Sequence, residues 1–464
     1  MNEAAAEERA SAPPWQYQSS LQGAAWPAVG NAACNLALAM QFQFAQSERL
    51  TDARILELQL RQLGALTAHA YATVPFYRQR WGATFDYASP LTPERIAGLP
   101  LLTRRDLQEN FEALKSNAVP PSHGAIGEAR TSGSTGTPVR VLKTELCTLF
   151  WNAFTLRDHF WHQRDFSGKL AGIRHGVTVG DFAAWGQATD GIVSTGPAVV
   201  RGVDADAETQ LAWLVQERPD YLVTHPSMAA ELARLSLTRG VRLERLREVR
   251  TYGELLAPET RVLCREAWGV PVTDTYSSNE VGYVALQCPR HDHYHVQAEG
   301  VYLEVLNDNG SACGVGETGR IVVTPLHNFS MPLIRYDVGD YAEVGAPCDC
   351  GRGLPVLKRI IGRVRNMLVT ADGRRYWPVL GARALVESAP IRQYQLVQKT
   401  VDRIEARLVV ASPLTPAQQE GVHTHILSRL PPGLQLELVY CDNIPRSAGG
   451  KFEDFISEVA TAVA

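Results

Sequence analysis

The sequence predicts an α/β protein, with a large N-terminal α/β domain holding parallel sheets and a β-rich subregion, and a small C-terminal α+β domain. Three observations predict it. Between Leu170 and Thr275 short apolar strands alternate with helices of about 10–15 residues, the pattern of a parallel sheet. Past Glu280 the texture turns to β. Beyond Gly362-Arg363 the composition shifts again, which places a boundary between residues 1–362 and 363–464.

The chain has 464 residues, too many for one small core. Hydrophobic residues make up 45% and charged residues 20%, as in an ordinary globular protein. The formal charge is -4 with no long run of one sign, so neither nucleic acid nor an anionic membrane is expected as a partner. No apolar stretch approaches the length of a bilayer span. Met1 to Glu8 carries acid where a secretory signal needs base, so a cytoplasmic location is expected, with a loose first dozen residues.

The elements follow in order. Residues 44–115 read as helical, with Leu56, Leu58, Leu60, Leu63 and Leu66 at near-helical spacing. Thr92 and Thr103 each stand as a cap, with an acid inside the first turn. A helix is expected from 144 to 164. Strands are expected at Leu170–Ile173, Asp220–Thr224, Glu248–Tyr252 and Val270–Thr275, separated by helices at Asp206–Glu217, Met228–Leu237 and Pro258–Trp268. Ligands of such sheets bind beyond the carboxyl ends of the strands, which puts His225, Gly253-Glu254 and Tyr276 at the expected site. A hairpin of Tyr283–Gln287 and His295–Glu299 and strands at Val301–Leu306 and Gly319–Thr324 come next. The last hundred residues hold strands at Leu396-Val397, Glu405–Val410 and Leu434–Tyr440 and helices at Pro378–Glu387 and Pro416–Leu430.

One stretch organises the chemistry: Arg130-Thr131-Ser132-Gly133-Ser134-Thr135-Gly136-Thr137-Pro138. Glycine permits a tight turn and close approach to a ligand, and hydroxyls with successive backbone N–H groups suit an anion. The stretch reads as a phosphate-holding loop between two strands. It is not a P-loop, because no Lys follows Gly136. Four further pieces join it. In Asp274-Thr275-Tyr276-Ser277-Ser278-Asn279-Glu280 an aromatic able to stack on a base precedes a carboxylate able to hold Mg²⁺. Pro332 to Asp340 reads as an apolar strand entering a turn whose last carboxylate suits sugar hydroxyls. Ile360-Ile361-Gly362-Arg363 marks the domain junction, and Ile444 to Phe452 is a tip that presents Lys451.

Taken together, these pieces from about residue 60 to 456 resemble the adenylate-forming enzymes, and among them the phenylacetate-CoA ligase branch. The resemblance implies ATP-dependent activation of a carboxylic acid, aryl in the expected case, as an acyl-adenylate with release of pyrophosphate. Transfer to the thiol of coenzyme A follows; a carrier-protein thiol or an amine is the alternative acceptor, and a non-carboxylate acid the alternative substrate. It implies that Thr131, Ser132, Gly133, Ser134, Thr135, Gly136 and Thr137 wrap the ATP phosphates, with Thr131 counted among the catalytic residues. Gly253, Glu254, Tyr276 and Ser277 would line the adenine pocket, although many relatives have Gly where Ser277 stands. Glu280 would ligate Mg²⁺, Asp340 would bind the ribose with Arg363 nearby, and Lys451 would reach the carboxylate and α-phosphate. The small domain would be mobile, pivoting about residues 363–366, where Arg365 replaces the usual Asp. A homodimer is allowed for.

The acid pocket is expected near His225, Tyr252 and Thr275 and the aromatic helix Phe150–Phe154, with His175 as a further candidate. Of eight cysteines, Cys34, Cys147, Cys264, Cys313 and Cys441 are scattered and read as idle thiols. Cys288, Cys348 and Cys350 stand near His291, His293 and His295, a set that fits structural Zn²⁺ with one of the three histidines as fourth ligand. The branch pattern selects His295.

Overall fold

The computed structural model describes residues 16–459, except 25–26, 84, 88, 131–137, 364–365, 379–384, 386–387 and 448–450. Helices Ala32–Ser47, Asp52–Thr73, Pro75–Trp81, Pro93–Ala97 and Arg104–Glu109 form the N-terminal part. Their starts follow local chemistry. Thr51 and Thr92 accept backbone N–H bonds from the first turn, and Thr103 and Asp106 form a reciprocal capping box. Leu63, Leu66 and Ala70 on one face of the second helix are fully buried against the large β region.

A single twelve-stranded sheet runs through the large unit. Its parallel part pairs Ala198–Gly202, Leu170–Arg174, Tyr221–Thr224, Glu248–Tyr252 and Val272–Ser278 as neighbours in that order. Helices Ala207–Glu217, Pro226–Arg239 and Pro258–Trp268 make the crossovers, the last two with Pro in the first turn, where its missing N–H costs nothing. Antiparallel strands continue the same sheet through Gly282–Gln287, Tyr294–Val296, Val356–Arg363, Tyr336–Val344, Thr318–Pro325 and Val301–Leu306. The parallel and β-rich regions thus share one surface. Helix Glu145–Trp161 packs on it through Phe154, Leu156 and Arg157.

Two expectations need correction. Pro332–Ile334 is not a strand entering a turn. Arg335 has φ 53°, its buried guanidinium binds Glu304, and the strand begins only at Tyr336. Asp340 therefore lies inside a strand, paired with Arg363. The strand expected over His295–Glu299 ends at Val296, because Gln297 turns the chain with backbone bonds to Gly300 and Val301.

Residues from Leu368 onward build a separate four-stranded sheet of Gln435–Tyr440, Arg403–Val410, Ile391–Thr400 and Phe455–Ser457, with helix Pro416–Ser428. Leu396, Ile404, Ala406, Leu408, Val422 and Ile426 are its core. The helix expected over 378–387 falls largely outside the described residues. Among the described residues, no helix is long and apolar enough to cross a membrane.

Candidate active site

A cleft of about 1840 Å³ opens at the carboxyl ends of the parallel strands, between the large sheet and the small C-terminal unit. Gly253, Glu254, Tyr276, Ser277, Glu280, Asp340, Arg363 and Lys451 all line it. So do His175, His225, Tyr252 and Thr275.

On one wall, strand register does the positioning. Asp340 and Arg363 are direct partners across antiparallel strands, and Arg363 Nε donates to Asp340 Oδ1 at 3.2 Å. Tyr276, on the neighbouring part of the sheet, donates its hydroxyl to Asp340 Oδ2 at 2.7 Å. Burial beside this carboxylate holds the Tyr276 phenol well above its ordinary range, so it stays a donor. Asp340 in turn holds Arg363 above the ordinary arginine value. The carboxylate is fixed at both oxygens by the chain itself.

The opposite wall meets the small unit. Gly253 follows the strand end with φ +81°, a conformation that favours glycine. A Cβ there would lie 3.5 Å from both the His225 ring and Lys451 Cε. Glu254 is fully committed: Oε2 accepts from the Ser227 amide at 3.0 Å, and Oε1 accepts from the Phe452 amide at 2.6 Å. Arg446 adds a bond to Ser227 Oγ at 2.8 Å and lies 3.5 Å from Glu254 Oε1. These contacts carry the tip bearing Lys451 into the cleft. Burial and then Arg363 push the Lys451 ammonium down, while Asp340, Glu254 and Glu280 push it up. His225 Nδ1 lies 3.1 Å from the Tyr252 carbonyl, and its Nε2 is buried without a partner among the described residues; burial pushes its pKa down.

Glu280 faces the same cleft, with Arg104 Nη1 at 3.8 Å. Asn279 donates to the carbonyl of Arg130 at 3.1 Å, which ties this segment to the strand ahead of the expected phosphate loop. Strands Ile126–Arg130 and Arg140–Thr144 pair antiparallel, as expected, with Arg130 opposite Arg140. The loop residues themselves, Thr131, Ser132, Gly133, Ser134, Thr135, Gly136 and Thr137, lie outside the described residues, as do pivot residues 364–365.

Of the aromatic helix, Trp151 and Asn152 reach the cleft, but Phe154 stacks on Phe44 and Phe150 on His327. Sequence reasoning missed Arg104, Arg174, Arg250, Tyr283 and Thr155, all cleft-lining. Each sits on or beside an element expected from the sequence, but not at a position that its motifs mark. Only the alternation along Glu248–Tyr252, with Arg250 and Tyr252 sharing a face, could have exposed one of them.

Away from the cleft, the ligand atoms of Cys288, His295, Cys348 and Cys350 all lie within 4.8 Å of one another. Cys288 Sγ is 3.9 Å from Cys348 Sγ, and His295 Nε2 is 3.3 Å from Cys350 Sγ. The His295 ring is fully buried with Nδ1 3.4 Å from the Leu354 carbonyl, which leaves Nε2 facing the thiols. His291 instead pairs with Asp349. Tetrahedral Zn–S bonds of about 2.3 Å separate two sulfurs by about 3.8 Å, so the donor set fits that metal.

No family model matches the chain. The phenylacetate-coenzyme A ligase of Thermus thermophilus is 27% identical over 440 residues, spanning 87% of this chain and 96% of that protein. The Pseudomonas putida ligase of the same name is 25% identical over 324 residues, covering 67% of this chain and 71% of its own. A solved 2-hydroxyisobutyryl-CoA ligase in its postadenylation state, 21% identical, matches with a TM-score of 0.71 over 90% of this chain and 93% of that one. The chain has the fold of the adenylate-forming ligases. Its sequence is similar to the phenylacetate-CoA ligase branch of them. Against the same solved ligase in its thioesterification state, 22% identical, the TM-score is 0.59 over 90% of this chain.

Proposed function

We propose that this protein is an AMP-forming acid–thiol ligase, which activates a carboxylic acid with ATP and passes the acyl group to coenzyme A. In the first step a carboxylate oxygen bonds to the α-phosphorus and the bond to pyrophosphate breaks. In the second, the coenzyme A sulfur bonds to the acyl carbon, its proton leaves, and AMP departs with the bonding pair. The observation that carries the reading is the meeting of Lys451, from the far end of the chain, with the Asp340–Arg363 pair and Glu280 around one cleft.

In this reading Lys451 contacts the carboxylate and the α-phosphoryl oxygens, where charge accumulates as pyrophosphate leaves. Asp340, held by Tyr276 and Arg363, accepts from the ribose hydroxyls. Gly253 gives room beside the adenylate, and Ser277 lines the base pocket next to Tyr276. Glu254 braces this wall through backbone amides. The loop Thr131–Thr137 wraps the β- and γ-phosphates. Glu280 suits Mg²⁺, which neutralises phosphate charge when bound; one carboxylate plus substrate oxygens is an ordinary ligand set for it. Cys288, His295, Cys348 and Cys350 would hold structural Zn²⁺, and these four donors together would leave no open position for chemistry. Residues 1–362 and 363–464 act as the two moving bodies, in the cytoplasm, where ATP and free thiols are available.

Pyrophosphate release over a panel of carboxylic acids, with product masses taken in the presence of coenzyme A, tests the proposal. Acid-dependent pyrophosphate and an acyl-CoA are expected. Silence across aryl, alkyl and dicarboxylic acids with Mg·ATP present would overturn it, and an adduct formed only on a carrier protein or amine would replace the acceptor.

A further inference from the structure

The cleft wall formed by strand Glu248–Tyr252 and its neighbours carries two arginines, Arg250 and Arg174. It lies between helix Glu145–Trp161 and the sheet, where Trp151 and Tyr283 pack with ring centroids 4.5 Å apart. Arg250 and Tyr252 share one face of strand Glu248–Tyr252, two residues and therefore about 7 Å apart along it. Tyr252 adjoins Gly253, where Lys451 comes closest. A substrate with its reacting carboxyl at Lys451 and its tail along this strand would place the tail at Arg250.

Two guanidiniums line the cleft on this side. Arg250 donates from Nη2 to Asp158 Oδ2 at 2.8 Å, but its Nε is buried with no partner among the described residues. Asp158 is shared, since Arg164 Nη1 also binds it, at 2.6 Å. Glu248 is paired with Arg164 and not with Arg250. Arg250 is accordingly held below the ordinary arginine value by burial and then by Arg164. Arg174 lies at the end of the adjacent parallel region, donates from Nε to the Tyr252 hydroxyl at 3.2 Å, and has no carboxylate partner among the described residues. Its guanidinium sits 5.1 Å from the centre of the Tyr252 ring. Both arginines line the cleft together with Tyr283. His159, also lining the cleft, is kept neutral by burial and adds no opposing charge. An apolar tail would leave the Arg250 Nε–H without an acceptor.

Building on the ligase reading above, we propose that the acid this enzyme activates carries a second carboxylate, which Arg250 and Arg174 bind on the cleft wall beside Tyr252. The substrate class is a dicarboxylic acid of moderate length, with an apolar or aromatic middle passing Trp151 and Tyr283.

Specificity ratios test this. Pyrophosphate release is measured with matched pairs of acids, each dicarboxylic acid against the monocarboxylic acid of the same skeleton and against its hydroxy analogue. For the unaltered protein, kcat/KM for the dicarboxylic member should exceed its monocarboxylic match by at least about tenfold. Arg250→Met should reduce that ratio by about tenfold or more. Arg174→Met, at an exposed position with no buried partner, should reduce it in the same direction and guards against a folding defect in the first variant. Equal or better use of monocarboxylic or hydroxy acids, or a ratio that neither variant moves, would overturn the inference while leaving the ligase reading intact. Silence with every acid would overturn both.

Discussion

The backbone N–H of Phe452 donates to Glu254 Oε1 at 2.6 Å, across 198 positions of sequence. The other oxygen of that carboxylate accepts from the Ser227 amide, near the start of helix Pro226–Arg239. One side chain therefore joins a strand end, a helix start and the tip carrying Lys451. These bonds exist only while the small unit faces the cleft in this orientation, so they bias the protein toward it.

Arg446 belongs to the same latch and reaches Ser227 Oγ at 2.8 Å. Arg446→Ala should lower acid-dependent pyrophosphate exchange by about tenfold, the worth of one charge-assisted hydrogen bond. If the small unit turns for the second step, as proposed above, conversion of a supplied acyl-adenylate to acyl-CoA should hold or rise. Equal loss in both half-reactions would show that Arg446 holds no particular orientation.

Lys451 sets a pH limit. Its ammonium is present below its pKa, and burial with Arg363 lowers that pKa. Adenylation should therefore fall as pH rises through a value below that of an ordinary lysine. The profile of kcat/KM reads the free enzyme, where this shift applies. Lys451→Arg should abolish the alkaline limb, and Lys451→Ala should cost adenylation about a hundredfold or more while sparing thioester formation from acyl-adenylate.

Tyr276 orients Asp340 as well as bordering the base pocket. Tyr276→Phe keeps the ring and removes the 2.7 Å bond to Oδ2. The loss is worth about 1 kcal/mol, so KM for ATP should rise about fivefold with kcat little changed. An unchanged KM would mean that Arg363 alone orients the carboxylate.

Much of this was legible in the sequence because local chemistry and tertiary structure agree. Strand Glu248–Tyr252 and helix Pro258–Trp268 have the bounds that their patterns predict, with Pro and Glu in the first turn and an apolar stripe of Leu263, Cys264 and Ala267. Motif order located Tyr276, Asp340, Arg363 and Lys451 without geometry. What sequence could not supply was pairing. Asp340 reads as a turn residue because Gly339 precedes it, yet bonding to Arg363 across the sheet keeps it in a strand. Arg250, Asp158 and Arg164 are ordinary surface residues by type, and only their packing under helix Glu145–Trp161 makes them a buried charge cluster. No spacing rule reports such a cluster, because its members come from a helix, a loop and a strand.

The cysteine cluster gives the last prediction. Cys288 follows strand Gly282–Gln287, while Cys348 and Cys350 lie ahead of strand Val356–Arg363. A metal there would clip two neighbouring parts of the sheet that backbone pairing joins only through the short strand Tyr294–Val296. Its binding energy would be realised only in the folded chain, so it would appear as stability. Elemental analysis of protein prepared without chelators should find one zinc per chain. Cys348→Ser should lose the metal and lower Tm by several degrees. Adenylation measured well below that Tm should persist, because none of the four ligands lines the cleft. Full zinc occupancy in Cys348→Ser, or zinc-free native protein with unchanged Tm, would remove the metal from the account.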